Sequence, residues 1–168
     1  MKAAICPGSF DPITNGHLDI IERASHLFDK VVVGVFVNTV KTPLFSLEER
    51  VNFIKLAVKD NLKVSNVEVE SFDSLLVDFA EKHGACAIIK GLRAVSDFEH
   101  EFQMAQFNQK LDPDVETIFM MASSQYAYLS SSAVKEIAKF GGCVKGLVPS
   151  DAEEGLRKFF KDRRRGCN

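Results

Sequence analysis

Short apolar runs alternate with helical patterns along the chain, and this alternation constrains the fold more than any other feature. Residues 31–37 are β-branched and nearly all apolar, which is typical of a strand buried on both faces. Residues 46–58 repeat apolar side chains at helical spacing and begin with a Ser46–Glu49 capping box. Because strands that alternate with helices form βαβ units, the sequence predicts a parallel sheet with right-handed crossovers.

The same patterns predict approximate bounds for every element. Strands are predicted at residues 2–6, 31–37, 64–69, 86–89 and 117–121. Helices are predicted after a Thr14 or Asn15 cap, at 46–58, around 75–80, at 97–111, at 131–140, and from a Ser150–Glu153 capping box to 160. The predicted fold class is α/β, a Rossmann-like open parallel five-stranded sheet with helices on both faces. No linker or repeat marks a second domain, so we predict one domain over 1–160 and a basic C-terminal tail over 161–168.

The charge balance and the apolar content exclude several classes of protein. The 168 residues carry 21 Lys and Arg against 23 Asp and Glu, which is not the basic field of a protein that coats nucleic acid. A hydrophobic content of 46% excludes a disordered chain. No apolar run approaches the roughly 18 residues of a membrane span, and the first apolar run is too short for a signal peptide. We therefore expect a cytoplasmic protein with no nucleic-acid or membrane partner.

The cysteines do not form a recognisable site. Cys6, Cys86, Cys143 and Cys167 are widely separated and include no CxxC pair, which excludes a zinc knuckle and a thioredoxin-like motif. Because Cys6 and Cys86 lie inside apolar runs, we expect both to be buried. All four are expected to be reduced and non-catalytic.

Polar segments follow each predicted strand, at the edge where open parallel sheets bind ligands. They are residues 7–17, 38–41, 72–76, 90–93 and 123–132, and they are rich in cations, small residues and hydroxyls. Gly16 and His17 fall in the first turn of a predicted helix, where free amides and the helix dipole favour an anion. The alternative interpretation of this segment is a Gly-Pro turn followed by a helix-capping His17. The triplet Ser130 to Ser132 begins another helix, either as capping residues or as an anion cradle. The sequence therefore predicts a phosphate-bearing ligand, although the GxGxxG and Walker A motifs are absent from it.

Several motifs in order resemble one family. Residues 14–17 (TNGH) resemble the (T/H)xGH signature of the nucleotidyltransferase superfamily, and residues 129–135 (LSSSAVK) resemble its ISSSxxK/R signature. Together with residues 7–12 (PGSFDP), 91–94 (GLRA) and 97–99 (DFE), they closely resemble the bacterial phosphopantetheine adenylyltransferases over nearly the whole chain. The resemblance implies transfer of AMP from ATP to 4'-phosphopantetheine, giving dephospho-coenzyme A and pyrophosphate. It also implies direct in-line attack without a covalent intermediate.

The resemblance assigns roles to individual residues. His17 and Lys41 are the catalytic residues it implies, His17 at the α-phosphate and Lys41 at the acceptor phosphate. The implied ATP-binding residues are Ser9, Phe10, His17, Gly91, Leu92, Arg93, Glu101, Tyr126, Ala127, Tyr128, Leu129, Ser130, Ser131 and Ser132. The implied acceptor-binding residues are Ser9, Lys41, Leu76 and Lys90, with Leu75 as a further candidate. The residues alone leave core packing open for Leu76 and a solvated position open for Lys41 and Glu101.

The chain departs from the family pattern at two positions. Lys90 stands where some members carry arginine, so the planar bidentate fork is lost while the charge is kept. His100 stands where tyrosine is frequent, and we assign it no role. The family also implies Mg²⁺ held mainly by the ATP phosphates with no dedicated metal site, feedback binding of coenzyme A, and a homohexamer.

Three other functions compete with this hypothesis. Nicotinate mononucleotide adenylyltransferases usually carry HxGH and ISSTxxR, whereas this chain has Thr14, Ser132 and Lys135. Glycerol-phosphate-type cytidylyltransferases likewise favour HxGH. A non-catalytic sensor of nucleotide or coenzyme A on the same fold is the alternative from a different class, since fold does not fix function. A sensor is expected to lose some of the cationic residues that this chain retains.

Overall fold

Strands and helices alternate in the structure as the sequence predicts. A computed structural model describes residues 1–37, 42–93 and 95–160. In that part of the chain the strands are β1 (Ala3–Gly8), β2 (Lys30–Phe36), β3 (Val67–Phe72), β4 (Ala85–Leu92) and β5 (Glu116–Met121). The helices are α1 (Asn15–Ser25), α2 (Leu47–Asn61), α3 (Leu76–Lys82), α4 (Val95–Leu111), α5 (Ser131–Lys139) and α6 (Ser150–Phe159). The predicted tail over 161–168 lies outside the described residues.

The five strands form one parallel sheet in the order β3-β2-β1-β4-β5. The chain builds outward from β1 through β2 to β3, and it then returns to place β4 on the other side of β1. The order of the strands therefore reverses between β1 and β4. Such a switch point opens a crevice beyond the carboxyl ends of the two strands, where ligands of α/β sheets bind.

Helices cover both faces of the sheet, which confirms the predicted fold class. Val31, Val33 and Val35 of β2 face a core that is shared with α1, α2, α5 and α6. Val32, between them, faces a second core together with Phe79 of α3. The alternation of faces follows from the two-residue period of a strand, and it explains why residues 31–36 of β2 carry no polar side chain.

The strands β1 and β4 extend further than predicted. Pro7 and Gly8 pair with Gly34 and Val35 of β2, so they end the strand and do not begin a loop. Residues 90–92 likewise continue β4 in register with β5. Local turn preferences indicated earlier ends, but pairing with a neighbouring strand keeps the backbone extended. The polar residues that follow β1 and β4 are therefore positioned by strand ends that are paired within the sheet.

Three local predictions are wrong. Helix α6 is capped by Pro149, with no side-chain hydrogen bond at the cap, so the predicted Ser150–Glu153 capping box does not form. Cys86 is exposed because the register of β4 shifts there, which leaves it as the extra residue opposite Ala3 and Ala4. Cys143 is disulfide-bonded, contrary to the expectation of four reduced cysteines. Cys6 is buried and free as expected.

Among the described helices, none combines the length and the apolar character that crossing a membrane requires.

Candidate active site

A cavity of about 420 Å³ opens at the switch point between β1 and β4. Its walls come from the ends of both strands, from the beginnings of α1 and α5, from α4, and from the segment after β5. The predicted site residues that line it are Ser9, Phe10, His17, Lys90, Gly91, Arg93, Glu101, Tyr126, Leu129, Ser130, Ser131 and Ser132. The structure therefore brings together residues that are more than one hundred positions apart in the sequence.

His17 is held in one orientation by the cap of its own helix. Thr14 is the N-cap of α1, and its backbone nitrogen donates to Nδ1 of His17 over 3.0 Å. Because Nδ1 accepts this hydrogen bond, the proton of the neutral ring is on Nε2. Burial, and to a lesser degree the Arg93 guanidinium, lowers the pKa of His17 to about 4. At neutral pH the ring is therefore an uncharged hydrogen-bond donor.

Two helix N-termini border the same cavity. Gly16 lies in the first turn of α1, and a Cβ added to it would lie 3.3 Å from Cβ of Tyr126, so glycine permits this close approach. Ser130 caps α5 by accepting from the nitrogen of Ala133, while the hydroxyl of Ser131 donates to the carbonyl oxygen of Pro12. The first two hydroxyls of the triplet thus have structural partners. The caps also satisfy one first-turn amide of each helix, those of His17 and Ala133. The dipole and the remaining amides at a helix N-terminus favour an anion.

Cationic side chains lie on the β4 and α4 side of the cavity. Arg93 follows β4, and its Nη1 donates to the carbonyl oxygen of Leu129 over 3.1 Å, which ties β4 to the segment before α5. Lys90 forms an ion pair with Glu101 of α4, with 3.0 Å between Nζ and Oε2. A phosphate ligand would therefore meet one guanidinium fixed by a carbonyl and one ammonium already balanced by a carboxylate.

A second cavity, of about 480 Å³, adjoins the first one. Both are lined by Pro7, Phe36, Lys90 and Glu101. The remaining walls of the second cavity are mainly apolar and come from α3, α4 and the segment before α3; Leu75, Leu76, Met104, Phe107 and Leu111 are among them. Leu76, predicted to contact the acceptor, lies here and not in the first cavity. His100 also lines this second cavity.

Other predicted residues lie away from the first cavity or outside the description. Leu92 is buried in the sheet, and its carbonyl oxygen accepts from the nitrogen of Ala122. Tyr128 is 93% exposed, and neither it nor Ala127 lines the first cavity. Lys41 lies outside the described residues, so its position relative to both cavities stays a prediction. The binding roles assigned to all these residues stay predictions as well.

Sequence reasoning missed a buried polar network beneath the first cavity. Arg50 of α2 is buried and donates from Nη1 to the carbonyl oxygens of Ser9, at 2.7 Å, and Phe36, at 3.3 Å. Asp11 is also buried and forms an ion pair of 2.7 Å with Lys135. One signal was available, because Arg50 occupies a position on the apolar face of α2, four residues before the buried Ile54.

Sequence comparison links this arrangement to a known family. A cytidylyltransferase-like family model matches residues 5–137. A phosphopantetheine adenylyltransferase of Clostridium botulinum is 63% identical over 151 residues, which is 90% of this chain and 93% of that protein. One of Clostridium tetani is 61% identical and covers 94% of this chain and 97% of its own length. This chain belongs to the phosphopantetheine adenylyltransferase family.

Solved structures of a related enzyme class share the fold. The nicotinic acid mononucleotide adenylyltransferase of Plasmodium falciparum, complexed with NaAD, superimposes with a TM-score of 0.75 over 96% of this chain and 98% of that one. At 16% identity this likeness concerns the architecture alone. Family membership in the phosphopantetheine adenylyltransferases therefore rests on the sequence, and the TxGH and SSSxxK segments lie at the cavity of this shared fold.

Proposed function

We propose that the protein transfers AMP from ATP to 4'-phosphopantetheine, forming dephospho-coenzyme A and pyrophosphate in coenzyme A synthesis. The observation that carries the proposal is the pair of adjoining cavities in a member of this family. The first has helix N-termini, hydroxyls and cations suited to phosphates, and the second is mainly apolar. The nucleotide occupies the first cavity, the pantetheine arm occupies the second, and the acceptor phosphate lies at their junction beside Lys90.

The reaction is an in-line displacement at the α-phosphorus of ATP. An oxygen of the acceptor phosphate forms the new bond to this phosphorus, and the bond to the oxygen that bridges to the β-phosphate breaks. Pyrophosphate leaves with the electron pair of that bond. Such a step requires the protein to position two phosphates and to balance the charge that develops between them, and it needs no protein nucleophile.

His17 donates a hydrogen bond from Nε2 to an oxygen of the α-phosphate. The Thr14 amide fixes the tautomer, and the low pKa keeps the ring neutral, so His17 stabilises charge without transferring a proton. Arg93 and the amides at the beginnings of α1 and α5 balance the remaining phosphates. Lys41 binds the acceptor phosphate, and this role rests on the family resemblance alone.

Mg²⁺ is the proposed cofactor, bound with ATP. In the described part of the chain, no three His, Cys, Asp or Glu side chains are grouped so that they could hold a metal ion. The cavity offers cations, hydroxyls and amides, a donor set that suits a phosphate whose metal is coordinated by phosphate oxygens and water. The ion would supply further charge neutralisation at the phosphates.

A homohexamer, feedback binding of coenzyme A and a cytoplasmic location complete the proposal. Assembly with further copies is supported by exposed apolar side chains on neighbouring elements, whereas the number of six rests on the family resemblance; among these side chains are Phe98, Phe102 and Phe107 on α4 and Ile118 and Met121 on β5. Coenzyme A contains both a nucleotide and a pantetheine arm, so it would occupy the same two cavities as the substrates. The cytoplasmic location rests on the sequence composition.

The deciding experiment is an assay of pyrophosphate release from ATP with two acceptors in parallel. We expect release with 4'-phosphopantetheine and none above background with nicotinate mononucleotide. Release with the mononucleotide alone would overturn the assignment in favour of the enzyme class that shares this fold. Absence of release with either acceptor, together with measurable ATP binding by calorimetry, would instead favour the non-catalytic sensor.

A further inference from the structure

Phe10 adopts a backbone conformation that residues with a side chain rarely take. Its φ is +45°, in the left-handed region that favours glycine. The ring is buried and meets the ring of His17 edge-on, with 5.1 Å between the centroids. Residues in such conformations persist only where the surrounding structure holds them, and they cluster at functional sites. The position of the His17 ring is therefore linked to a strained residue that other groups must hold in place.

The residues on each side of Phe10 are held by hydrogen bonds in which one partner is a charged side chain. The carbonyl oxygen of Ser9 accepts from Nη1 of the buried Arg50 over 2.7 Å. On the other side, the Asp11 carboxylate accepts from the nitrogens of Leu44 and Phe45 over 2.9 and 3.0 Å. Arg50 and Asp11 do not line the first cavity, so they contact the residues of the site from outside the cavity.

Lys135 is directed toward Asp11. Its Nζ lies 2.7 Å from Oδ2 of Asp11, and Lys135 is not among the residues that line the first cavity. Burial alone would raise the pKa of Asp11, but the Lys135 ammonium and the two amides hold it below its usual value. Asp11 thus joins the β1–α1 segment, the segment before α2, and α5.

We propose that Asp11 and Lys135 form a positioning pair that holds Phe10, and through it His17 and Ser9, in the arrangement required for the reaction. Lys135, although it belongs to the SSSxxK segment, does not bind the nucleotide phosphates. The proposal rests on the proposed function for its kinetic test, and it extends that function to two residues outside the cavity.

The test compares Lys135→Met, Lys135→Arg, Asp11→Asn and the double variant Asp11→Asn/Lys135→Met. The matched control is Lys139→Met, because Lys139 is exposed one turn later on the same helix. Three quantities are measured for each variant: kcat with saturating substrates, the Kd for ATP by calorimetry, and the melting temperature. Hydrogen exchange of the Leu44 and Phe45 amides is followed as a readout that does not depend on activity.

We expect Lys135→Met and Asp11→Asn each to lower kcat by about 10- to 100-fold, because small misplacements of reacting groups are costly. The Kd for ATP should change by less than about threefold, since no phosphate contact is removed. The double variant should be no worse than either single variant, as expected for two residues that act as one unit. Lys135→Arg should restore most of kcat, and Lys139→Met should match the parent protein. The Leu44 and Phe45 amides should exchange faster in Lys135→Met than in the parent protein, and at the parent rate in Lys139→Met.

Two results would overturn the proposal. An increase of tenfold or more in the Kd for ATP in Lys135→Met, with none in Asp11→Asn, would make Lys135 a phosphate ligand. A lower melting temperature with an unchanged kcat would make the pair merely structural. If Asp11→Asn fails to fold, the Lys135→Met and Lys135→Arg pair decides between these outcomes. If the parent protein has no activity, the proposed function fails, and the positioning pair is then judged by the exchange of the two amides.

Discussion

Nδ1 of His17 lies 3.0 Å from the backbone nitrogen of Thr14, the residue that caps the helix on which His17 lies. In return, the Thr14 hydroxyl accepts from the backbone nitrogen of His17. This reciprocal pair is a capping box in which histidine occupies the place usually taken by glutamate or glutamine. One contact therefore stabilises the beginning of α1 and fixes which ring nitrogen carries the proton.

The first prediction concerns the Nε2 donor of His17. His17→Ala should lower kcat for pyrophosphate release by about 10²–10³, the range found when one donor to a transition state is removed. His26→Ala is the matched control, because His26 is exposed at the other end of the same helix. Circular dichroism of both variants checks that α1 is retained. A kcat within threefold of the parent value would contradict the role given to His17.

The second prediction concerns stability and pH. The ordinary pKa of histidine is 6.5, whereas that of His17 in the folded chain is about 4. Between these values the unfolded chain binds a proton that the folded chain does not, so stability is lost as the pH falls from about 6.5 toward about 4. From about pH 7.5 to about pH 5, His17→Gln should therefore lose less unfolding free energy than the parent, by on the order of 1 kcal/mol after allowing for partial exposure of the ring. Urea unfolding at the two pH values measures it, and equal losses would contradict it.

Local sequence patterns predicted the sheet, because the continuous apolar run of β2 and the helical spacing of α2 are both properties of short segments. The location of the candidate site followed from the rule that ligands bind where the strand order reverses. The buried contacts of Arg50 were not predictable in this way, because they join α2 to the ends of β1 and β2, and no local pattern specifies that meeting. The same holds for Asp11 and Lys135, which are 124 positions apart.

The third prediction concerns Lys41, whose role comes from the family resemblance. Lys41→Ala should raise the KM for 4'-phosphopantetheine and lower kcat together, since the acceptor phosphate loses a cation both in binding and in the transition state. The Kd for ATP should remain within about threefold of the parent value. Lys55→Ala, on α2, controls for the loss of a lysine elsewhere. A change confined to ATP affinity would contradict the assignment.

The fourth prediction tests the apolar cavity. Leu75 lines it and is 56% exposed, so a charge there should alter the cavity without disrupting the core. We expect Leu75→Asp to raise the KM for 4'-phosphopantetheine by roughly tenfold, because the apolar part of the arm would meet a carboxylate. The KM for ATP and the melting temperature should be unchanged. Leu27→Asp is the control, because Leu27 is similarly exposed between α1 and β2. An equal effect of both variants would contradict this use of the cavity.

The fifth prediction concerns the exposed apolar side chains of α4 and β5. Phe102 is 47% exposed and stacks on Phe98, with 5.5 Å between the ring centroids, while Met121 is 63% exposed on the edge strand. Large apolar side chains grouped at a sheet edge indicate a surface that a further chain covers. The double variant Phe102→Glu/Met121→Glu should therefore have a smaller mass than the parent assembly in light scattering, because a carboxylate is costly to bury without a partner.

The control for this prediction is Phe140→Glu, since Phe140 is 70% exposed but follows α5 on another part of the molecule. It should retain the mass of the parent assembly. If the double variant also retains that mass, α4 and β5 do not form the interface. If the parent protein is a monomer at micromolar concentration, the proposed hexamer is wrong. Phe107 and Leu111 of the same helix line the second cavity. The smaller assembly should therefore also lose affinity for 4'-phosphopantetheine, and this loss should exceed any loss of affinity for ATP.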